Sequence, residues 1–419
     1  MLGNRIKKIF ILYRGNIVAQ ALNLVVFFGA TYYFPIDIIG TYFIFVAIAE
    51  ICGSFFSLQS HLTIALANTF KDKYQNWKAG FNIILLFHVL FIVGIIIIYF
   101  LQRSFFSGVF AFKLWYFLLP ISSLFFGMNQ LGEHYLIAIY RYSFVSRLKF
   151  IRVVSFSSVV LVFILEPNSI NALILGYLVG QITQVVGYYF LAYRRLSIKF
   201  SILEVKILLI QFFNKYKHIL ILNTIVSPIN IISNQLPVIL LPILYSKSVT
   251  ANYGIVFKTL LFPVMLFSQV YGQDIYVKAS NIFNKKEPLS NFWKLELRKL
   301  FIIAIIPFII IYLISPWFYE KVMGQEWLLA GDITRIILIW MFINFIKTPL
   351  ASLISILQLQ KKWLVFEVFQ LIGRLLIFFI SYVFTFSVQY TLTLYALISS
   401  FAGIILLIYI YYSIGRKGF

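Results

Sequence analysis

Twelve apolar runs, most of them about 20 residues long and so able to cross the hydrocarbon core of a bilayer, divide this chain of 419 residues. They lie near 12–34, 38–64, 80–101, 114–138, 147–165, 170–192, 218–242, 249–276, 299–318, 333–357, 363–385 and 390–412. Lipid offers the backbone no hydrogen bonds, so runs of this length must close their own as helices. The composition agrees. With 62% hydrophobic and 11% charged residues, the chain could not cover a water-facing surface. The expected fold is an all-α integral membrane protein of about twelve transmembrane helices.

The net charge of +22 does not point to nucleic acid, because the cations sit in short loops between apolar runs and not on one domain. With the N-terminus in the cytoplasm, the inside set includes Arg5, Lys7, Lys8, Lys71, Lys73, Arg147, Lys149, Arg194, Arg195, Lys285, Lys286, Lys361 and Lys362. The outside loops hold Arg103, Lys113, Lys247 and Lys321. This bias places both termini in the cytoplasm. "MLGNRIKKIF" resembles the start of a signal peptide, but a full-length apolar run without a small-residue cleavage site follows, so it reads as a retained first helix. Two inside loops, Tyr193–Lys217 and Lys278–Arg298, are longer than the rest, basic, and suited to an anionic leaflet. The first leaves six spans on either side and sets the expected lobes at 1–205 and 206–419. A short match between "FPIDIIGTYFIF" and "YSKSVTANYGIVF", aligning Tyr42 with Tyr253, suggests that the lobes repeat.

Polar side chains recur inside the runs at offsets of four and seven, which keeps them on one helix face. Asn16, Gln20 and Asn23 share a stripe in span one, and Glu50, Ser54, Ser57 and His61 in span two. Span four carries Ser122, Asn129, Glu133 and Tyr140; span seven carries Asn223, Ser227, Asn230 and Asn234, interleaved with Pro228 and Pro237. Spans eight, ten and eleven add Lys258, Gln269 and Gln273; Asn344, Lys347 and Gln358; and Glu367, Gln370 and Arg374. Any one stripe can serve as glue between helices. Together they describe a polar cavity, with cations Lys258, Lys347 and Arg374 in the second half and carboxylates Glu50 and Glu133 in the first. Such a division suits an anionic cargo and an ion-coupling site, for which Glu50, His61, Glu133 and Glu367 are the candidates. His88 and His134 lie off the stripes and read as structural. The prolines of span seven read as kinks whose freed carbonyls are met from the polar side.

The single cysteine, Cys52, allows no intrachain disulfide. Phosphate-cradling glycine loops, metal-ligand spacings and nucleophile elbows are not found. Neither a cofactor, a metal nor enzymatic catalysis is expected.

Three stretches carry a family resemblance. "TYYFPIDIIGTYFIF" resembles the corner between spans one and two of the Wzx-type polysaccharide flippases. Asn214 to Ser280 resembles their seventh and eighth spans. "SPWFYEKVMGQEWLLAGDITRIILIW" resembles their FG-x-x-W-x-x-AG stretch, with Trp327, Ala330 and Gly331 in register. That family belongs to the multidrug/oligosaccharidyl-lipid/polysaccharide exporter superfamily, with MATE-type multidrug exporters and lipid II flippases. One departure is plain: Gln59, Ser60 and His61 stand where the family often has Arg, Tyr and Glu. The resemblance implies a two-lobe protein of the bacterial cytoplasmic membrane that opens alternately to each face. Its cargo would be an undecaprenyl-pyrophosphate-linked oligosaccharide for O-antigen or capsule, with Lys258, Lys347 and Arg374 holding pyrophosphate or acidic sugars. Its partners would be membrane lipids, a polysaccharide polymerase and a chain-length regulator. The alternatives are a MATE-type drug or cation antiporter and, with less room in the outside loops, a membrane polymerase or glycosyltransferase.

Overall fold

The computed structural model describes residues 2–105, 117–163, 171–193 and 202–416. Each expected span falls on its own long helix: α1 (Leu2–Tyr33), α2 (Ile36–Phe56), α4 (Phe70–Phe105), α5 (Leu118–Ala138), α6 (Tyr142–Val162) and α7 (Asn171–Tyr193). The second set is α8 (Ile202–Leu244), α9 (Lys247–Asn284), α10 (Leu289–Met323), α11 (Leu328–Leu350), α13 (Gln360–Val383) and α14 (Val388–Arg416). Two one-turn helices, α3 (Leu62–Ala65) and α12 (Leu353–Ile356), complete the order. Among the described residues nine helices are long and apolar enough to cross a membrane by length and composition. The protein is an all-α, multi-pass membrane protein. Part of the Tyr193–Lys217 loop, at 194–201, lies outside the described residues, as do Lys113 and the stretch around it.

By its contacts the chain forms two compact units, Met1–Ile231 and Ile232–Phe419. The division falls inside α8, later than the 205/206 boundary expected from the loop. The reason is local: Phe212, Tyr216 and Leu220 of α8 are buried against Ala79 and Ile83 of α4, and Asn76 Nδ2 donates to Tyr216 Oη at 3.0 Å. In the first unit α5 packs on α2, α4 and α7, while α6 joins α1 to α7. In the second, α11 packs on α9, α10 and α14. The helices at the centre of each unit are thus spans four and ten, which hold the same place in two sets of six.

Two expected continuous spans are broken. The helix of span two ends at Phe56, because Leu58 and Gln59 take positive φ values of 46° and 50°. Gln59 Nε2 caps the break by donating to Ser54 Oγ at 2.7 Å and Ser54 O at 3.1 Å. Ser57 caps the helix on the face of Glu50 and Ser54, and His61 does not continue that stripe. Span ten ends at Leu350, and Gln358 sits beyond α12 at φ 55°, off the face of Asn344 and Lys347. Tyr140 lies past the end of α5 at φ 62°. In each case the stripe assumed a helix that the chain had already left.

The Trp-x-x-Ala-Gly stretch has a packing explanation. Trp327 and Ala330 are buried, and a Cβ on Gly331 would lie 2.5 Å from Pro316 Cα, so only glycine lets α11 meet α10 this closely.

Candidate functional site

The polar centre of the second unit is built on Pro237. Proline has no N–H, so inside α8 it leaves the carbonyl four residues earlier, on Ser233, without its ladder partner. Arg374 of α13 answers it. Its Nη1 donates to Ser233 O at 2.9 Å, Ser233 Oγ at 2.8 Å and Asn234 Oδ1 at 3.2 Å. Its Nε donates to Ser399 Oγ of α14 at 3.0 Å. Tyr395 Oη adds a second bond to Ser233 O at 3.2 Å. The guanidinium carbon lies 5.0 Å from the ring centroid of Trp340 and 4.9 Å from that of Tyr395, a cation–π arrangement that suits a desolvated arginine. Arg374 is 1% exposed. It ties α8, α13 and α14 together and carries a full charge into an apolar interior with its Nε and Nη1 donors engaged.

Around this group stand two more ionisable residues. Glu367, buried one face-repeat away on α13, accepts from Trp363 Nε1 at 3.0 Å. Lys347, half-buried on α11, lies in the electrostatic reach of both Glu367 and Arg374. Its stem runs past Gly403 of α14, where an added Cβ would lie 3.6 Å from Lys347 Cδ. Gln370 is buried between these charges on α13. The structure therefore brings Lys347, Glu367, Gln370 and Arg374 of the sequence reading into one polar group. Lys258 is half-buried on α9, and Gln273 is exposed. The side chain of Gln269 lies outside the described residues.

The first unit relies on amides and on a paired carboxylate. Asn129 Nδ2 of α5 donates to Gln181 of α7, at its side-chain oxygen and at its carbonyl, the latter at 3.2 Å. Glu133, one turn on, accepts from Lys149 Nζ of α6 at 2.6 Å. Gln184 of α7 accepts weakly from Arg152 Nη1 at 3.4 Å and donates to Tyr188 Oη at 2.9 Å. Glu50 is half-buried on α2, and Tyr177 lies in the electrostatic reach of both Glu50 and Arg152. The break after α2 turns His61 toward α5, where its ring centroid lies 4.4 Å from that of His134. His61 is buried, and its Nδ1 has no hydrogen-bond partner. Asn23 is half-buried with a buried side-chain oxygen lacking a partner, and Gln20 is exposed. Asn223 and Asn230 are half-buried on the part of α8 that belongs to the first unit, whereas Asn234 belongs to the second. The side chain of Asn16 lies outside the described residues.

Sequence reasoning missed several partners. Ser233 lies one position off the span-seven stripe, though its place four residues before Pro237 marks its carbonyl as the one set free. Gln181 carries no charge and lies outside the stripes named above, yet it completes Asn129. His134 lay off every stripe and meets His61 only because α2 stops early.

No protein-family model and no curated protein sequence matches the chain. Solved structures do match along nearly its whole length. An inward-facing multidrug resistance MATE family transporter of the MOP superfamily aligns with a TM-score of 0.68 at 11% identity, over 95% of each chain. The lipid II flippase MurJ, in an inward closed conformation, aligns with a TM-score of 0.68 at 14% identity, over 97% of this chain and 87% of the other. This chain has the MOP transporter fold. A third match, a MOP superfamily transporter from Pyrococcus furiosus, has a TM-score of 0.62 at 12% identity over 98% and 96% of the two chains. Its description reports a reverse polarity of the binding pocket that suggests a different function. The helix pattern of the MOP fold thus persists here at identities where side-chain chemistry is free to differ.

Proposed function

We propose that this chain is a flippase that moves undecaprenyl-pyrophosphate-linked oligosaccharide repeat units across the bacterial cytoplasmic membrane by alternating access. The product would feed O-antigen or capsular polysaccharide assembly, with a polymerase and a chain-length regulator acting on it afterwards. The observation that carries the reading is the set of cations within membrane-spanning helices, Lys258, Lys347 and Arg374. Ionisable groups at such depth are costly and mark a cargo or ion route, and cations favour a phosphate-bearing headgroup over a cationic drug. Nε and Nη1 of Arg374 are already engaged by Ser233, Asn234 and Ser399. Cargo contact therefore falls first to Lys258 and Lys347, and Arg374 engages an anion only by exchanging those bonds for it. Both termini would be cytoplasmic, as the lysine and arginine bias requires. Glu50, His61, Glu133 and Glu367 remain the candidates for ion coupling, and the His61–His134 pair makes the first unit the better place to look. A lipid II flippase among the similar structures, and another MOP transporter with reversed pocket polarity, support a fold able to carry an anionic lipid-linked cargo.

The test is deletion of the gene, followed by complementation with the wild type or with Lys258→Gln/Lys347→Gln. The deletion strain should lose surface polysaccharide while single lipid-linked repeats collect on the cytoplasmic face, and the double variant should not restore export. Unchanged polysaccharide with altered drug resistance would replace this reading with a MATE-type antiporter. Repeats collecting on the outer face would indicate a polymerase.

A further inference from the structure

α13 and α14 leave a gap between the lysine-bearing start of α13 and the later part of α14. Between them lies a cavity of about 310 Å³, a size within the range of small-ligand sites. Its lining includes Phe366, Phe369, Ile405 and Leu406, and every lining residue except Lys362 is apolar or aromatic. Phe369 and Ile405 are also exposed on the outside of the bundle, which in a membrane means exposed to lipid chains. The walls are therefore continuous with the hydrocarbon, and the opening is polar only at one end.

That end has a defined chemistry. Lys362 Nζ stands 5.6 Å from the ring centroid of Tyr409, and its neighbour Lys361 is exposed beside it. Trp363 also lines the cavity, and its indole N–H is turned to Glu367 at 3.0 Å. Next to it Lys294 of α10 stands 5.4 Å from the ring of Tyr411. Tyrosine, tryptophan and lysine gathered at one level mark the interface between hydrocarbon and headgroups. Among the described residues no carboxylate lines the cavity, so none of them on the wall offers the ammonium group at the mouth an anion.

The geometry points to a resident anionic phospholipid, one acyl chain lying in the α13–α14 groove and its phosphate held by Lys362. An apolar slot with a cation at the interface fits both parts of such a lipid: the chain excludes water from the aromatic walls, and the phosphate neutralises the lysine. A zwitterionic lipid with the same chains would fill the slot but carry no net charge to the lysine. The site needs no particular cargo, and it holds whether the chain exports an oligosaccharide or a drug.

The full chain, purified in dodecyl maltoside and stripped of lipid, provides the test. Thermal unfolding is followed with added phosphatidylglycerol, or with phosphatidylcholine of identical chains. The wild type should gain about 3 °C from the anionic lipid over the zwitterionic one. Lys362→Gln should remove the difference between the lipids, and Ile405→Trp, which narrows the groove at a lipid-exposed position, should remove the response to both. Lys362 and Ile405 are both exposed, so unfolding of the variants without lipid gives the baseline against which each lipid response is read. An equal response of the wild type to both lipids overturns the proposal, as does a full anionic preference kept by Lys362→Gln. A rise with undecaprenyl phosphate but none with phosphatidylglycerol also overturns it and gives the groove to a prenyl chain.

Discussion

Pro237 in α8 and Pro316 in α10 pose the same problem to the second unit, and two arginines answer it in different settings. Each proline lacks the N–H that would bond the carbonyl four residues earlier. At Pro237 that carbonyl belongs to Ser233 and is met by Arg374 Nη1 at 2.9 Å. At Pro316 it belongs to Tyr312 and is met by Arg335 Nε at 3.1 Å, with the guanidinium stacked 5.2 Å from the Tyr312 ring. Arg374 is buried and bonded to two further helices, whereas Arg335 is exposed on α11. The chemistry is the same in both places. Surroundings decide its weight: a buried guanidinium that loses its acceptors has nothing else to turn to, while one exposed near the start of a span can extend to the interface.

The comparison can be broken most decisively at Arg374. Replacing it by Gln should cost roughly 2–3 kcal/mol in detergent-solubilised protein, because several interhelical bonds are lost together and Asn234 and Ser399 are left short of donors. Thermal or denaturant unfolding would measure this, and a loss below about 0.5 kcal/mol would show that the arginine does not hold the three helices together. Next in size is Gly331→Ala, which places a methyl group 2.5 Å from Pro316 Cα. It should cost roughly 1–3 kcal/mol by overpacking. That result would show that close helix approach, and not the arginine, carries stability near Pro316. The third test returns the missing donor. In an Arg374→Gln background, Pro237→Ala gives α8 an N–H for the Ser233 carbonyl and should recover about 1 kcal/mol, read as a coupling term in a double-mutant cycle. The smallest effect is expected from Arg335→Gln, at most about 1 kcal/mol by the same unfolding assay, since the exposed guanidinium makes one backbone bond and ties no third helix. If Arg335→Gln proved as costly as Arg374→Gln, burial would not be the variable that separates the two sites.

The first unit offers a further contrast. Its interior polar pairs include Asn129–Gln181, Glu133–Lys149 and His61–His134, with His61 Nδ1 left without a partner. The second unit buries an arginine with its acceptors in place. A group whose acceptors are in place favours a fixed arrangement, and a buried nitrogen without a partner marks a place that gains from rearrangement.

The twelve apolar runs each became a helix, because length and hydrophobicity leave a membrane segment no other way to satisfy its backbone. The Trp327–Gly331 stretch was marked in the sequence only by resemblance, and its packing against Pro316 appeared with the fold. The polar stripes were legible only as far as each helix ran. Asn129 and Glu133 share a face of α5, and Glu367, Gln370 and Arg374 share one of α13, as the spacing requires. His61, Gln358 and Tyr140 fell off their stripes because turns at positive φ intervened, and nothing in a 3.6-residue period announces where a helix stops.

Sequence alone determined that this chain lives in a membrane, that it crosses about twelve times, and that prolines and amides share the segment from Asn223 to Leu244. Those properties are local: they depend on residues within a turn or two, or on the length of one run. Which side chain would meet the carbonyl freed by Pro237 was decided only by tertiary structure. Arg374 lies 141 residues from Ser233, and no periodicity links them. Packing of α8 against α13 and α14 put the two within bonding distance, and the lack of water there turned a missing backbone bond into a site for a buried charge.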